Sequence, residues 1–178
     1  IKSFKWLAAI AETAHNREAA RLGIMRCARQ TGQQTEALLA ADELLKSSKL
    51  RPEVEAEARY LRAQSYLGLG EENKARVDLQ ALSKDTRTVY GAEAKYLLAK
   101  SYYDGNELDK VEKELLNFIE KGTTHRYWLA RGFVLLSDVY VRKGDKFQAR
   151  QYLTSLQKNY KGNDDIAGMI TERLAKLK

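Results

Sequence analysis

The chain has 178 residues, of which 44% are apolar and 31% charged, with one proline, one cysteine and a formal net charge of +7. This composition excludes a disordered or collagen-like chain, and the lone Cys27 excludes an internal disulfide framework. The sequence contains no uncharged run near the ~18 residues that a membrane-spanning helix needs. The positive charge lies mainly in residues 126–178, which carry 11 basic and 5 acidic residues.

Residues 1–14 are predicted to form one helix. Phe4 and Leu7 lie 37 residues before Ala41 and Leu44, which are expected at the seam between later helices. Residues 1–14 therefore look like the second helix of a truncated upstream repeat, and we expect the chain to be a fragment of a longer protein. An exposed end of this kind could pair with a second copy, which would give a homo-oligomer.

Internal repetition is clearest in residues 56–66 and 92–102. These segments read AEARYLRAQSY and AEAKYLLAKSY, and they are identical at 8 of 11 positions at an offset of 36. The turn residues in the same register are Gly32, Gly70, Asn106 and Gly144. The other shared positions are Ala63, Ala99 and Ser137 before the turn, Tyr66, Tyr102 and Tyr140 nearer to it, and Ala37, Ala75, Val111 and Ala149 after it. Because Gly and Asn tolerate the left-handed conformation that ends a helix, each turn is predicted to join two helices.

The register predicts four helix pairs and a final helix. The pairs are placed at 17–31 and 33–47, 53–69 and 71–84, 89–104 and 107–121, and 127–143 and 145–160. An amphipathic helix at 164–177, capped by Asp164, is expected to cover the open end. A pair this short cannot bury its apolar faces alone, so the pairs are expected to stack into one continuous domain.

These features resemble the tetratricopeptide repeat family, a helix-turn-helix repeat of about 34 residues. The resemblance implies an all-α, right-handed superhelical solenoid with repeats at 17–47, 53–84, 89–121 and 127–160 and a capping helix at 164–177. The first repeat is degenerate at Met25 and Ala28, Val111 replaces a small residue, and the proline typical after each second helix is missing. Residues 127–150 are similar in style to long repeat proteins of the Bacteroidetes, which slightly favours a bacterial periplasm or cell envelope over the cytoplasm.

No catalytic motif is found in the sequence. Gly68 and Gly70 end a helix rather than form a phosphate loop, and no zinc-binding or nucleophile-elbow motif is present. His15 and His125 have no second ligand at metal-binding spacing. The sequence therefore predicts a protein that is not an enzyme and that needs no cofactor or metal.

The family resemblance implies that the first helices of successive repeats line a concave groove. The groove positions carried over to this chain are Arg26, Arg29, Tyr60, Gln64, Tyr96, Lys100, Tyr103, Arg131, Asp138 and Arg142. Aromatic surfaces with Arg and Lys suit a peptide or helix of a protein partner. In the alternative, Tyr60 and Tyr96 pack within their own repeats. The carboxylate clamp of one chaperone-binding subfamily is absent, because Leu22, Leu61, Glu93 and Leu97 stand at its positions.

Two other functions stay open at this stage. The basic C-terminal third could bind nucleic acid or another polyanion, with the phosphate-tracking candidates Arg126, Arg131, Arg142, Lys143, Lys146, Arg150, Lys158 and Lys161. This alternative is less favoured, because the basic residues spread around two helices and no recognition motif accompanies them. In the last alternative, the chain is a helical appendage of an enzyme whose catalytic domain lies elsewhere.

Overall fold

The structure is a computed structural model that describes residues 1–47 and 49–177, and within these residues all regular structure is helical. Ten helices are found in the described residues. They are α1 (Lys2–Ile10), α2 (Ala14–Gln30), α3 (Gln34–Leu45), α4 (Pro52–Gly68), α5 (Glu72–Leu82), α6 (Val89–Asp104), α7 (Leu108–Lys121), α8 (Arg126–Arg142), α9 (Lys146–Asn159) and α10 (Ile166–Lys176). The all-α fold class predicted from the sequence is confirmed.

The chain divides into two compact units. Unit 1 contains Ile1–Leu82 and helices α1–α5, and unit 2 begins at Ser83 and contains α6–α10. That the helix pairs form one continuous domain stays a prediction from the sequence. Within unit 2, the segment before α6 is hydrogen-bonded to the link between α7 and α8. The Thr123 hydroxyl donates to the Thr86 carbonyl oxygen at 2.6 Å, and the Thr86 hydroxyl donates to the Gly122 carbonyl oxygen at 3.3 Å.

Each predicted helix pair corresponds to two observed helices, and the bounds differ by at most three residues. The largest shift is at the start of α2, which begins at Ala14 rather than at residue 17. Thr13 explains this early start, because its hydroxyl accepts the Asn16 N–H at 3.1 Å and so caps the helix. Pro52 stands in the first turn of α4, where its missing N–H removes no helical hydrogen bond.

The four turns adopt the left-handed conformation that the sequence predicts. The φ angles are 71° at Gly32, 73° at Gly70, 58° at Asn106 and 85° at Gly144. The N–H that follows each turn residue donates back to a carbonyl oxygen of the last helical turn, as from Glu71 to Tyr66 at 2.9 Å. This hydrogen bond satisfies a carbonyl that the helix end leaves without a helical partner.

The core of unit 1 contains side chains from α1 through α4. Met25, Ala41 and Leu44 are almost fully buried there, and Phe4 of α1 packs against them. Phe4 lies directly over Gly23 of α2, so that a Cβ atom built on Gly23 would approach the phenyl ring to 2.5 Å. The absence of a side chain at Gly23 therefore lets α1 lie close against α2.

The last helix closes the core of unit 2. Ile166, Ile170 and Leu177 are buried against Val134 of α8 and Leu153 of α9. The helix begins two residues later than predicted, at Ile166, and Asp165 occupies the N-cap position. The Asp164 carboxylate nevertheless accepts the Ile166 N–H at 3.1 Å, so it satisfies one N–H of the first turn.

Candidate protein-binding surface

The first helices of the unit 2 repeats lie side by side. Helix α6 contacts α8, and α8 contacts α10. Side chains from the three helices meet on one surface, which we call the first-helix surface of unit 2. It consists of Tyr96, Lys100 and Tyr103 of α6, Arg131, Asp138 and Arg142 of α8, and Arg173 of α10. Six of these seven residues are groove positions from the sequence analysis, and Arg173 is the one that it missed.

Arg131 of α8 is hydrogen-bonded to Tyr96 of α6 and to Tyr127 of its own helix. Its guanidinium donates to the hydroxyl of Tyr96 at 2.8 Å and to that of Tyr127 at 2.9 Å. The guanidinium carbon also lies 4.9 Å from the centre of the Tyr96 ring, and the Trp128 ring packs 5.6 Å from that centre. Tyr96 is consequently only 7% exposed. Tyr96 and Arg131, two of the ten predicted groove residues, therefore contact each other and support the surface, and they leave little area for contact with a partner.

Arg142 and Tyr103 form a second link between α6 and α8. The Arg142 guanidinium carbon lies 3.7 Å from the centre of the Tyr103 ring, and the guanidinium donates to the Tyr103 carbonyl oxygen at 3.1 Å. Burial raises the pKa of the Tyr103 hydroxyl, and the negative charge of Asp138 adds to this effect. The phenol is therefore neutral at ordinary pH, and it presents a flat ring that holds an exposed cation in a fixed place.

The remaining unit 2 positions are paired with carboxylates or with a guanidinium. Asp138 accepts two hydrogen bonds from Arg173 of α10, both at 2.8 Å, which joins α8 to α10. Hydrogen bonding to Asp138 raises the pKa of Arg173, so the guanidinium stays charged. Lys100 pairs with Asp104 one turn later on α6, and its side chain is 42% exposed. Arg142 forms no ion pair with a carboxylate of the described residues.

The four groove positions of unit 1 lie on α2 and α4, which contact each other. Arg26 of α2 forms two hydrogen bonds with the Glu57 carboxylate of α4, at 2.5 and 2.6 Å. On α4, the Gln64 amide donates to the Tyr60 hydroxyl at 3.2 Å, and both side chains are half-buried. Arg29 is also half-buried. Unit 1 therefore offers a smaller aromatic surface than unit 2.

Sequence reasoning missed the ion pairs that join the two helices within a repeat. Asp78 of α5 is fully buried and accepts hydrogen bonds from Arg62 at 2.7 and 2.8 Å and from Arg59 at 3.2 Å. In unit 2 the buried Lys95 of α6 pairs with Glu114 of α7. Arg59 and Asp78 are each 36 residues before Lys95 and Glu114, so the repeat register itself contained the signal.

The same two positions carry an aromatic pair in the last repeat. A further shift of 38 residues leads from Lys95 and Glu114 to Phe133 and Tyr152. These rings lie with their centres 6.0 Å apart, and the Tyr140 ring stacks on Tyr152 at 5.5 Å. The contact between first and second helix is thus kept, while its chemistry changes from an ion pair to aromatic packing.

The described residues provide no group of three or more His, Cys, Asp or Glu side chains that could hold a metal ion. Among the same residues, no helix is both long and apolar enough to cross a membrane. The surfaces above consist of aromatic rings, guanidinium groups and paired carboxylates. This chemistry suits recognition of another molecule by stacking and ion pairing.

Comparisons with known proteins agree with this geometry. The family model described as "Tetratricopeptide repeat" matches residues 131–163, which span most of α8, all of α9 and the residues that follow it. A candidate kinesin light chain of Podosopora anserina with nearly identical TPR-like repeats has a similar structure, with a TM-score of 0.61 and 16% identity over 90% of this chain and 85% of that one. A variant of that protein gives a TM-score of 0.64 and 16% identity over 90% and 84% of the two chains. Comparison with curated proteins gives no match.

The sequence register, the helix pairs and these likenesses lead to the same conclusion. The structural likeness covers nine tenths of the chain and establishes the fold, while the family match lies in the last helix pair. The left-handed turns and the packed first helices are the features that a helix-turn-helix repeat requires. The last helix pair is similar to the tetratricopeptide repeat family, and the chain as a whole has the fold of the TPR-like repeat structures that it matches.

Proposed function

We propose that this chain is a non-catalytic scaffold that binds a peptide or helix of a partner protein along the first-helix surface of unit 2. Tetratricopeptide repeats generally mediate protein–protein interaction. The observation that carries the proposal is the Tyr103–Arg142 pair beside Lys100, because it combines a half-buried ring with exposed cations on adjacent helices. The unit 1 positions Arg26, Arg29, Tyr60 and Gln64 are proposed as a second, weaker contact area.

The fixed positions of these side chains favour binding. Arg142 is held against Tyr103 by stacking and by a hydrogen bond, and Arg131 holds Tyr96 in place below the surface. A partner would therefore meet groups that are already ordered, and less side-chain entropy would be lost on association. The cell-envelope location and the N-terminal homo-oligomer stay predictions from the sequence.

Polyanion binding through the basic C-terminal third is the second candidate, and the contacts support it less well. Several of its cations are already engaged: Arg131 by tyrosines, Lys143 by Asp109 and Glu112, and Arg150 by the Leu177 carbonyl oxygen. Such binding would weaken steeply with salt, with a log–log slope near −0.9 for each phosphate neutralised. A titration with labelled single- and double-stranded DNA at several salt concentrations would detect it.

The variant Lys100→Glu/Arg142→Glu tests the scaffold proposal. Both side chains are at least partly exposed, so we expect the helical content to be unchanged, and we expect loss of a partner that the wild type captures from nuclease-treated lysate. Photo-crosslinking from position 103 followed by mass spectrometry would identify the captured segment.

The matched control is Lys113→Glu/Lys121→Glu on α7, where both side chains are exposed and the change in net charge is the same. This control should keep the partner. Equal capture by both variants would refute binding at the first-helix surface. If nuclease abolishes the capture of the partner and the Lys100/Arg142 changes do not affect it, the polyanion alternative is favoured.

A further inference from the structure

A small cleft lies between α8, α9 and α10, beside the Asp138–Arg173 pair of the first-helix surface. Its volume is about 210 Å³. The buried Leu153 and Leu177 form part of its lining, and Val141 contributes an apolar wall that is 41% exposed. This lining would favour an aliphatic side chain over a polar one, because a polar group would lose its water there without gaining a partner.

Some of the cations that line the cleft are paired with carboxylates and one is not. Two of its cations are neutralised by carboxylates that also line it, in the pairs Asp138–Arg173 and Glu172–Lys176. Lys146, the first residue of α9, is the remaining cation of the lining, and it pairs with no carboxylate of the described residues. The rim therefore carries one uncompensated positive charge beside an apolar lining.

The surface next to the cleft also combines exposed cations with exposed apolar groups. Phe147 follows Lys146 and is 70% exposed, and Arg142 follows the cleft residue Val141 and is also exposed without a carboxylate partner in the described residues. The carboxylate next to Lys146 in the sequence, Asp145, is exposed and caps α9 by accepting the Gln148 N–H at 2.9 Å. A partner that binds here would thus find two cations without a carboxylate partner in the described residues, together with exposed apolar groups, while the carboxylates of the cleft lining are already paired.

From this arrangement we propose that the cleft receives an aliphatic side chain from an acidic segment of the partner, and that a carboxylate of this segment pairs with Lys146. The inference rests on the proposed function and adds the chemical class of its ligand. A basic segment would oppose the charge of Lys146 and would have to compete for carboxylates that are already paired. An acidic segment without an aliphatic residue would leave the apolar cleft unfilled.

Three blocked peptides, Ac-EELEE-NH2, Ac-EEAEE-NH2 and Ac-KKLKK-NH2, test the proposal by titration into the isotope-labelled full chain under NMR. We expect Ac-EELEE-NH2 to shift the amide signals of Val141, Lys146 and Leu177, and to bind at least tenfold more tightly than the other two. Lys146→Glu should weaken this binding by about tenfold. The control Lys158→Glu makes the same charge change on the exposed side of α9, and should alter the affinity by less than twofold.

Several results would overturn the inference: equal binding of Ac-KKLKK-NH2 or Ac-EEAEE-NH2, equal effects of the two lysine variants, signal shifts confined to other regions, or no binding at all. The two proposals fail separately. If Lys100→Glu/Arg142→Glu loses the partner while no peptide binds the cleft, the scaffold proposal stands and the acidic ligand is wrong. If that variant keeps the partner, the scaffold proposal is wrong whatever the peptides do.

Discussion

Replacement of Asp78 with alanine is expected to lower the free energy of unfolding of unit 1 by about 3 to 5 kcal/mol. Asp78 is fully buried and accepts hydrogen bonds from both Arg59 and Arg62, whose side chains are 30% and 19% exposed. Removal of the carboxylate takes the shared partner from two half-buried guanidinium groups, and Arg59 and Arg62 then keep only the more exposed Glu55 and Asp42. Urea unfolding measures the loss of stability, and hydrogen exchange of the α4 and α5 amides shows where it occurs.

Two further variants separate the ion pair from the cavity that alanine creates. Asp42 also pairs with Arg62 but is 44% exposed, so Asp42→Ala should cost less than about 1 kcal/mol. The triple variant Arg59→Met/Arg62→Met/Asp78→Leu replaces all three charges with apolar groups, and it should recover most of the stability lost in Asp78→Ala. A loss below about 1 kcal/mol in Asp78→Ala would show that the network contributes little.

Gly23→Ala is expected to destabilise unit 1 by about 1 to 3 kcal/mol, although alanine is the better helix former. The new methyl group would meet the Phe4 ring, three of whose carbons lie within 2.7 Å of its position. The ring or the whole of α1 must therefore move away from α2. We expect faster hydrogen exchange in α1, together with a lower midpoint of thermal unfolding.

Two controls belong to this prediction. Gly168 lies in α10 with no atom near its would-be Cβ, so Gly168→Ala should be neutral or stabilising by up to about 1 kcal/mol. In a Phe4→Ala background, Gly23→Ala should no longer destabilise, since the clash has been removed. Destabilisation that persists in that background would assign the effect to something other than the contact between α1 and α2.

The repeat pattern predicts the fold well because it records constraints that act within a few residues of the chain. The left-handed turn at Asn106 and the buried Ala63 and Ala99 follow from local backbone geometry and from close helix packing. The ends of the paired helices are predicted to within three residues, whereas α1 ends at Ile10, four residues before its predicted end, and the caps account for part of the differences. Thr13, for instance, starts α2 early, which the apolar spacing alone does not indicate.

The burial and pairing of the side chains in the candidate site are less predictable, because they depend on contacts between helices that are distant in sequence. Family positions place Tyr96 in the groove, with packing within its own repeat as the alternative, but they do not indicate that Arg131 and Trp128 bury it. The hydrogen bond from the Thr123 hydroxyl to the Thr86 carbonyl oxygen likewise joins residues that are 37 positions apart. Contacts between different repeats need not recur from one repeat to the next, so the repeat pattern of a single sequence does not signal them.

The buried network around Asp78 also bears on misfolding by exchange of helices between repeats. The segments 56–66 of α4 and 92–102 of α6 share 8 of 11 residues, so each could compete for the other's place during folding. The register aligns Arg62 with Leu98, which is 2% exposed. Exchange would place a guanidinium in an apolar site and would leave Asp78 without its main partner, and both changes are costly. We therefore expect Arg62 to disfavour the exchange of these two similar segments within the chain.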